Sequence, residues 1–201
     1  MSDEPPTLAE LPFGFSWVQD EPMARASHAI ADGGRVWLVD PVDSPGMVER
    51  AQALGELAGV IQLLDRHNRD AEAICARVGV PHLRLPDELP ATPFEVVPVV
   101  AWRRWTEKAL WWPANRTLVV AEAVGTTPWY TVGTQPIGVH ALLRPFPPRS
   151  LKAFAPDRVL VGHGTNVEGD AARKGLRRAL ESARRDVPRW LLELPKLLRS
   201  S

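Results

Sequence analysis

Four short apolar runs in this chain each stop on a polar residue, and this pattern constrains the fold more than any other feature. They are VWLVD, ending at Asp40; VIQLLD, running on into Arg66, His67 and Asp70; LVVAEA, carrying Glu122; and VLVGHG, carrying His163. Short unbroken apolar runs suit strands covered on both faces. Polar groups at the ends of neighbouring strands gather at one sheet edge, the usual place for a site in an α/β protein. Each has a local explanation when taken alone. Asp40 precedes Pro41 and suits a turn, and His163 lies between two glycines and suits a hydrogen-bonded loop. Four such residues at four strand ends favour a shared crevice.

The rest of the chain fills in around these runs. Residues 1–12 read as a loose arm and residues 13–201 as one domain, which suits a length of 201. Strands are expected over residues 13–18, 26–31, 36–39, 60–64, 96–102, 109–112, 118–120 and 159–161. Asp32-Gly33-Gly34 marks a hairpin turn. Helical spacing of Met47, Ala51, Leu54 and Leu57 predicts a helix over 45–57. A second helix is expected over 68–78, with Cys75 packed inward and Gly79 as its cap. Residues 125–149, rich in Pro and Gly, read as a long irregular loop of the kind that forms lids. Thr165 and Glu168 have capping-box spacing for a helix running to about residue 185. A short helix over 188–198 follows.

Composition excludes several classes. Lys+Arg 24 balance Asp+Glu 24, so global charge gives no drive toward nucleic acid. No apolar run is long enough to span a membrane. The start, MSDEPPTLAE, has neither a basic region nor an apolar core, and Cys75 is the single cysteine. Both suit a reducing, cytoplasmic setting. There is no G-x-S-x-G elbow and no Walker loop.

The order of motifs resembles the metallo-β-lactamase superfamily from about Ser27 to about Gly169. HAIADGGRVWLVDPVD is similar to that family's opening hairpin and first Asp, at Asp40. LLDRHNRDAEAI lies where the family has T-H-x-H-x-D-H. NRTLVVAEAVG is similar to its metal-bridging strand, and SLKAFAPDRVLVGHG to its closing strand and Gly-His-Gly. The resemblance implies a four-layer αββα sandwich (α/β, α+β) with its site at one edge of two sheets.

The ligands that the resemblance implies are mostly replaced. Setting residues 65–71 on T-H-x-H-x-D-H leaves Arg66, Asn68 and Ala71 in place of three histidines and keeps only Asp70. Trp105 falls at a further histidine, Glu122 replaces the bridging Asp, and His163 is kept. An arginine stays protonated and offers no lone pair, and an alanine offers no donor at all. No metal cofactor is therefore expected, and Arg66 is expected to pair with Asp70 or Glu122. The crevice would be lined by Asp40, Arg66, His67, Asp70, Trp105, Glu122 and His163. It would bind a small molecule or a protein partner, a second copy of the chain included. The alternative is a rewired hydrolase with one divalent metal, such as zinc, on His67, Asp70, Glu122 and His163.

Other features stand beside this reading. Arg103 and Arg104 lie between Trp102 and Trp105 and suit a flat or anionic ligand, although tryptophans are more often core residues. VLVGHGTN has a strand–glycine–helix form but Val167 in place of the third glycine of a nucleotide loop. His28, His82 and His140 read as surface or hydrogen-bonded residues, His140 being placed to approach the site. From Ala171 onward nine Lys and Arg face three Asp and Glu. That surplus suits a solvated helix face, or contact with acidic lipid, nucleic acid or the acidic part of a partner subunit.

Overall fold

The computed structural model describes residues 5–67 and 69–199. Two sheets form the middle of the molecule. The first is six strands in chain order: β1 (Thr7–Leu11), β2 (Gly14–Val18), β3 (Ala26–Asp32), β4 (Arg35–Val39), β5 (Glu56–Gln62) and β6 (His82–Arg84). Strands β1 to β4 form an antiparallel meander, and β4, β5 and β6 run parallel. The crossovers are α1 (Met47–Gln52) and α2 (Ala71–Val78). Gly79 caps α2 in the left-handed region, φ 73°, its N–H on the Cys75 carbonyl.

The second sheet takes β7 (Glu95–Trp102), β8 (Trp105–Trp112), β9 (Thr117–Val120), β12 (Arg158–Val161) and β13 (Val167–Glu168), in the order β13-β12-β9-β8-β7. A two-stranded ribbon, β10 (Val124–Gly125) with β11 (Gly138–Val139), lies between β9 and β12 in the chain. Helix α3 (Gly169–Ser182) packs on the second sheet, and α4 (Val187–Leu197) follows it.

Strand alternation assigns each side chain to a layer. On β4, Val36 and Leu38 face α1 and α2, together with Val60, Ile74 and Ala51. Trp37 and Val39 face the other sheet and join Ile61, Leu110, Trp112 and Val119. That inter-sheet core runs on to Leu176, Ala179 and Leu180 of α3. The layers are helix, sheet, sheet, helix, the αββα arrangement expected.

Several boundaries differ from the sequence expectations. Residues 7–11 of the presumed arm are an edge strand paired with β2. The 45–57 helix stops at Gln52. Gly55, at φ 157°, turns the chain so that Leu57 belongs to β5, and Leu54 is exposed. The second helix begins at Ala71; Asn68 lies outside the described residues. Strand β6 was not expected. Segment 125–149 is organised by the ribbon and a 3-10 turn over Ala141–Leu143. The capping box does not form, because residues 167–168 pair with β12 and α3 begins after them with no side-chain cap.

Two seams join the sheets at one end. At the first, Leu63 and Asp65 follow β5 and pair with the start of β8: Lys108 N–H donates to Leu63 O (2.8 Å) and Asp65 N–H to Thr106 O (3.0 Å). At the second, residues just past β12 pair with those at the entry to β3. Ala26 N–H donates to Gly162 O (2.9 Å) and Gly164 N–H to Ala24 O (2.8 Å). A Cβ on Gly162 would lie 2.1 Å from the Ala121 carbonyl oxygen. Gly162→Ala should therefore lower stability by about 2 kcal/mol or more through backbone displacement. Chemical unfolding measures this, and an unchanged midpoint would contradict the close approach.

Candidate functional site

Parallel pairing brings the strand ends together. Residues 120 and 161 are partners in the β9–β12 ladder, and 39 and 61 in the β4–β5 ladder. Asp40, His67, Glu122 and His163 lie at or just past those ends, and the two seams close the ends against each other.

Asp40 is buried, and its backbone has φ 44°, a left-handed conformation that Asp tolerates better than most residues. Both carboxylate oxygens are used. One accepts the Leu63 N–H (3.0 Å) and the other the His67 Nδ1–H (2.9 Å). Burial works against ionisation of Asp40, but His67 and Arg69 outweigh it and hold its pKa below the usual value.

His163 donates Nδ1–H to the Met23 carbonyl (3.0 Å), and its ring lies 5.6 Å from that of His67. Burial and the nearby Arg69 charge push His163 down to about 4, and burial lowers His67 as well. Both rings are thus neutral near pH 7, with Nδ1 committed and Nε2 outside those bonds.

Arg69, which the motif reading passed over, supplies the fixed charge. Its guanidinium donates to the carbonyls of Ala26 (2.6 Å), Asp40 (2.6 Å) and Gly162 (3.0 Å), so it ties the end of β4 to the second seam. Arg66 supplies the second cation. It donates to Glu122 at 2.6 Å and lies 4.2 Å from the Trp105 ring centroid. Burial would raise Glu122, yet Arg66 keeps it below its ordinary value. Arg66 pairs with Glu122 and not with Asp70, whose carboxylate accepts the Asp43 N–H (2.8 Å) at the start of α2.

Three more groups complete the cluster. Glu107 is fully buried on β8. Its carboxylate accepts the N–H groups of Glu122 (2.9 Å), Ala123 (2.8 Å) and the Trp105 indole (3.0 Å). Burial pushes it up to about 7 against the pull of those donors. Glu107 could have been suspected from the sequence: it is an acid two residues from Trp105 on the inward face of an alternating strand. Tyr130 and His140 come from segment 125–149. The Tyr130 ring stacks on His163 (5.8 Å, 22°), and His140 stands edge-on to Trp105 (4.7 Å), with Nε2 3.9 Å from Glu122. Trp105 is buried, whereas Trp102 is 45% exposed beside it.

Behind the site, Asn166 donates to the Ser16 hydroxyl (2.8 Å), which donates to His28 Nδ1 (2.7 Å). Burial pushes His28 to about 4. His82 bonds Gln62, and Cys75 packs against the first sheet as expected. Other concavities lie away from the cluster. One of about 550 Å³ along α3, lined by Lys152, Phe154, Arg173 and Leu180 among others, shares no residue with the cluster.

Several oxygens that could face a metal are engaged with neighbours. Among the described residues, no group of three or more His, Cys, Asp or Glu is placed to hold a metal ion. Asp40 bonds Leu63 and His67, one Asp70 oxygen holds Asp43, Glu122 carries Arg66, and two guanidinium groups occupy the region.

Solved structures with the same fold are metallo-β-lactamases. DIM-1 metallo-β-lactamase is 15% identical, with 90% of this chain and 99% of that one covered and a TM-score of 0.63. TMB-1 is 14% identical over the same shares, with a TM-score of 0.57. A metallo-β-lactamase from Erythrobacter litoralis is 12% identical, with 89% and 92% covered and a TM-score of 0.59. No family model matches the sequence. No curated protein matches it either. The chain has the metallo-β-lactamase fold.

Three outcomes follow from this geometry. Arg69→Met should cost about 3 kcal/mol, because three carbonyls lose a charged donor, Gly162 alone keeping a further one in the Ala26 N–H, and Arg69→Lys should cost less. Equal unfolding midpoints for the two variants would contradict the clamp. Glu107→Gln should cost about 1–3 kcal/mol, since an amide offers one acceptor oxygen where the carboxylate offers two; an unchanged midpoint would contradict this. Stability should also fall on acidification. His28 and His163 sit near 4 when folded and near 6.5 unfolded, so the unfolded chain binds more protons between these values. His67 adds in the same direction. Glu107, at about 7 folded, opposes them over about 4.5–7. The net loss should be roughly 1–2 kcal/mol per pH unit between pH 6 and 5. A urea midpoint at pH 5 equal to that at pH 7 would contradict it.

Proposed function

We propose that this metallo-β-lactamase-fold protein works without the two-metal centre and acts by binding. The observation that carries the reading is the Arg66 guanidinium, held between Glu122 and the face of Trp105. A carboxylate left without a dication needs another cation or a proton, and Arg66 and Arg69 supply fixed positive charge. Half-exposed Arg66 lies on Trp105, exposed Trp102 stands edge-on to the same ring, and Arg103 and Arg104 are in the adjoining turn. Arginine planes beside indole faces suit a small, flat, anionic ligand.

A second reading has one specific observation in its favour. His67 and His163 both commit Nδ1, to Asp40 and to the Met23 carbonyl, as metal-binding histidines do when Nε2 is the ligand atom. On that reading Glu122 leaves Arg66 and a single metal binds, as in a rewired hydrolase.

One experiment separates the two. The chain is expressed with added zinc, iron and manganese and purified without chelator or metal-affinity resin. Its metal content is then measured by elemental mass spectrometry. The binding reading expects far less than one metal per chain and the same melting temperature with and without chelator. Near-stoichiometric metal that is lost in His163→Ala and Glu122→Ala would overturn it. The ligand class is tested on the same protein by tryptophan fluorescence. Benzoate should perturb the signal more than benzamide or inorganic phosphate, and Arg66→Ala should remove the difference. Equal responses to all three would reject a flat anion.

A further inference from the structure

Helix α4 has two apolar faces, and only one of them is used. Its inner face carries Val187, Trp190, Leu194 and Leu197, all partly buried. Trp190 donates its indole N–H to the Trp129 carbonyl (3.0 Å), with the Arg144 guanidinium 5.8 Å from its ring. Asp186, at the start of α4, bonds Gln135 (2.8 Å). The helix is therefore docked in a fixed orientation. Its outer face carries Pro188, Leu191, Leu192, Pro195 and Leu198, at spacings of three and four, all exposed. Leu191, Leu192 and Leu198 are 52%, 78% and 65% exposed.

The adjoining loop adds to this surface. Phe146 is 70% exposed and Leu142 65%. Arg184 bridges the loop and the helices, with its Nε on the Pro145 carbonyl (2.6 Å) and its guanidinium 5.8 Å from the Phe146 ring. Five of the nine large hydrophobic side chains exposed among the described residues belong to α4 with its last turn and this loop. Such clustering marks an interaction surface, where single exposed leucines would not.

Charge decides which occupant suits it. Between residues 183 and 199 the chain carries Arg184, Arg185, Arg189, Lys196 and Arg199 against Asp186 and Glu193. Asp186 is engaged inward with Ser182 and Gln135, and Glu193 faces Arg189 at 3.4 Å. An apolar stripe edged by basic residues, on a helix too short and too charged to cross a bilayer, is the pattern of a helix lying in a membrane interface. A second copy is a poorer fit, because an isologous contact along the stripe would bring the same basic residues together.

We propose that α4 and the 142–146 loop lay this protein on an anionic lipid surface, with Leu191, Leu192, Leu198 and Phe146 entering the headgroup boundary and the arginines contacting lipid phosphates. This surface is separate from the strand-end crevice and does not depend on the reading of that site.

The test is co-sedimentation of the full chain with two kinds of vesicle: phosphatidylcholine alone, and phosphatidylcholine with about one-third phosphatidylserine. Binding is expected on the anionic vesicles at low salt and should fall at about 0.5 M salt, where surface charge is screened. The Leu191→Glu/Leu192→Glu double variant should bind at least about tenfold more weakly, with unchanged circular dichroism and melting temperature. Arg185→Ala/Arg189→Ala should lose the preference for anionic vesicles. No binding at low salt would overturn the proposal, as would equal binding by the leucine variant. A stable dimer in sedimentation that the leucine variant dissociates, without vesicle binding, would assign the face to a second copy instead. If the leucine variant unfolds, Leu192→Ser is read in its place.

Discussion

The end of the molecule where the two sheets meet depends on one partly buried guanidinium. Arg69 holds three carbonyls that come from the start of β3, the end of β4 and the end of β12. Each of those segments is near the end of its ladder, where regular pairing stops and burial makes an unmet acceptor costly. A cation with several donors in a planar fork meets this need in a way that a lysine, with a single point charge, does not. Arg69 also sets the electrostatics of the neighbourhood. It helps keep Asp40 ionised and His163 neutral, which lets Asp40 hold His67 and lets His163 bond a main-chain carbonyl.

Around that clamp the site is arranged as pairs. Asp40 has His67, Glu122 has Arg66, and Glu107 has three N–H donors. Aromatic rings close the gaps: Trp105 under Arg66, Tyr130 on His163, His140 against Trp105. A site that serves a metal keeps several ligand atoms aimed at one empty point. Here most of the acidic oxygens are already spent on neighbours. This is why the proposed function turns on binding at the half-exposed Arg66 and Trp102 surface rather than on hydrolysis.

Much of this was legible in the sequence, for an identifiable reason. Runs such as VWLVD and VLVGHG are covered on both faces, so their apolar stretch and their polar stop are visible without knowing their neighbours. Asp40, Glu122 and His163 followed from that. Arg69 and Tyr130 did not, because their roles depend on contacts with residues far along the chain; His140 was legible only as a loop residue placed to approach the site. The helix expected over 45–57 failed because Met47, Ala51, Leu54 and Leu57 satisfy a helical period across Gly55, whose backbone breaks it. The capping box failed because an unexpected edge strand, β13, claimed its residues. Strand β1 was hidden by its proline- and charge-rich setting and by having a partner on one side alone.

The central claim is that guanidinium groups, and no metal, hold the charge at the strand ends. It is tested most directly by a crystal grown with zinc in the mother liquor and measured at the zinc absorption edge. The account predicts no anomalous peak between His67, Glu122 and His163, with Arg66 still on Glu122. A strong peak about 2 Å from the Nε2 atoms of both histidines, with Arg66 displaced, would contradict it.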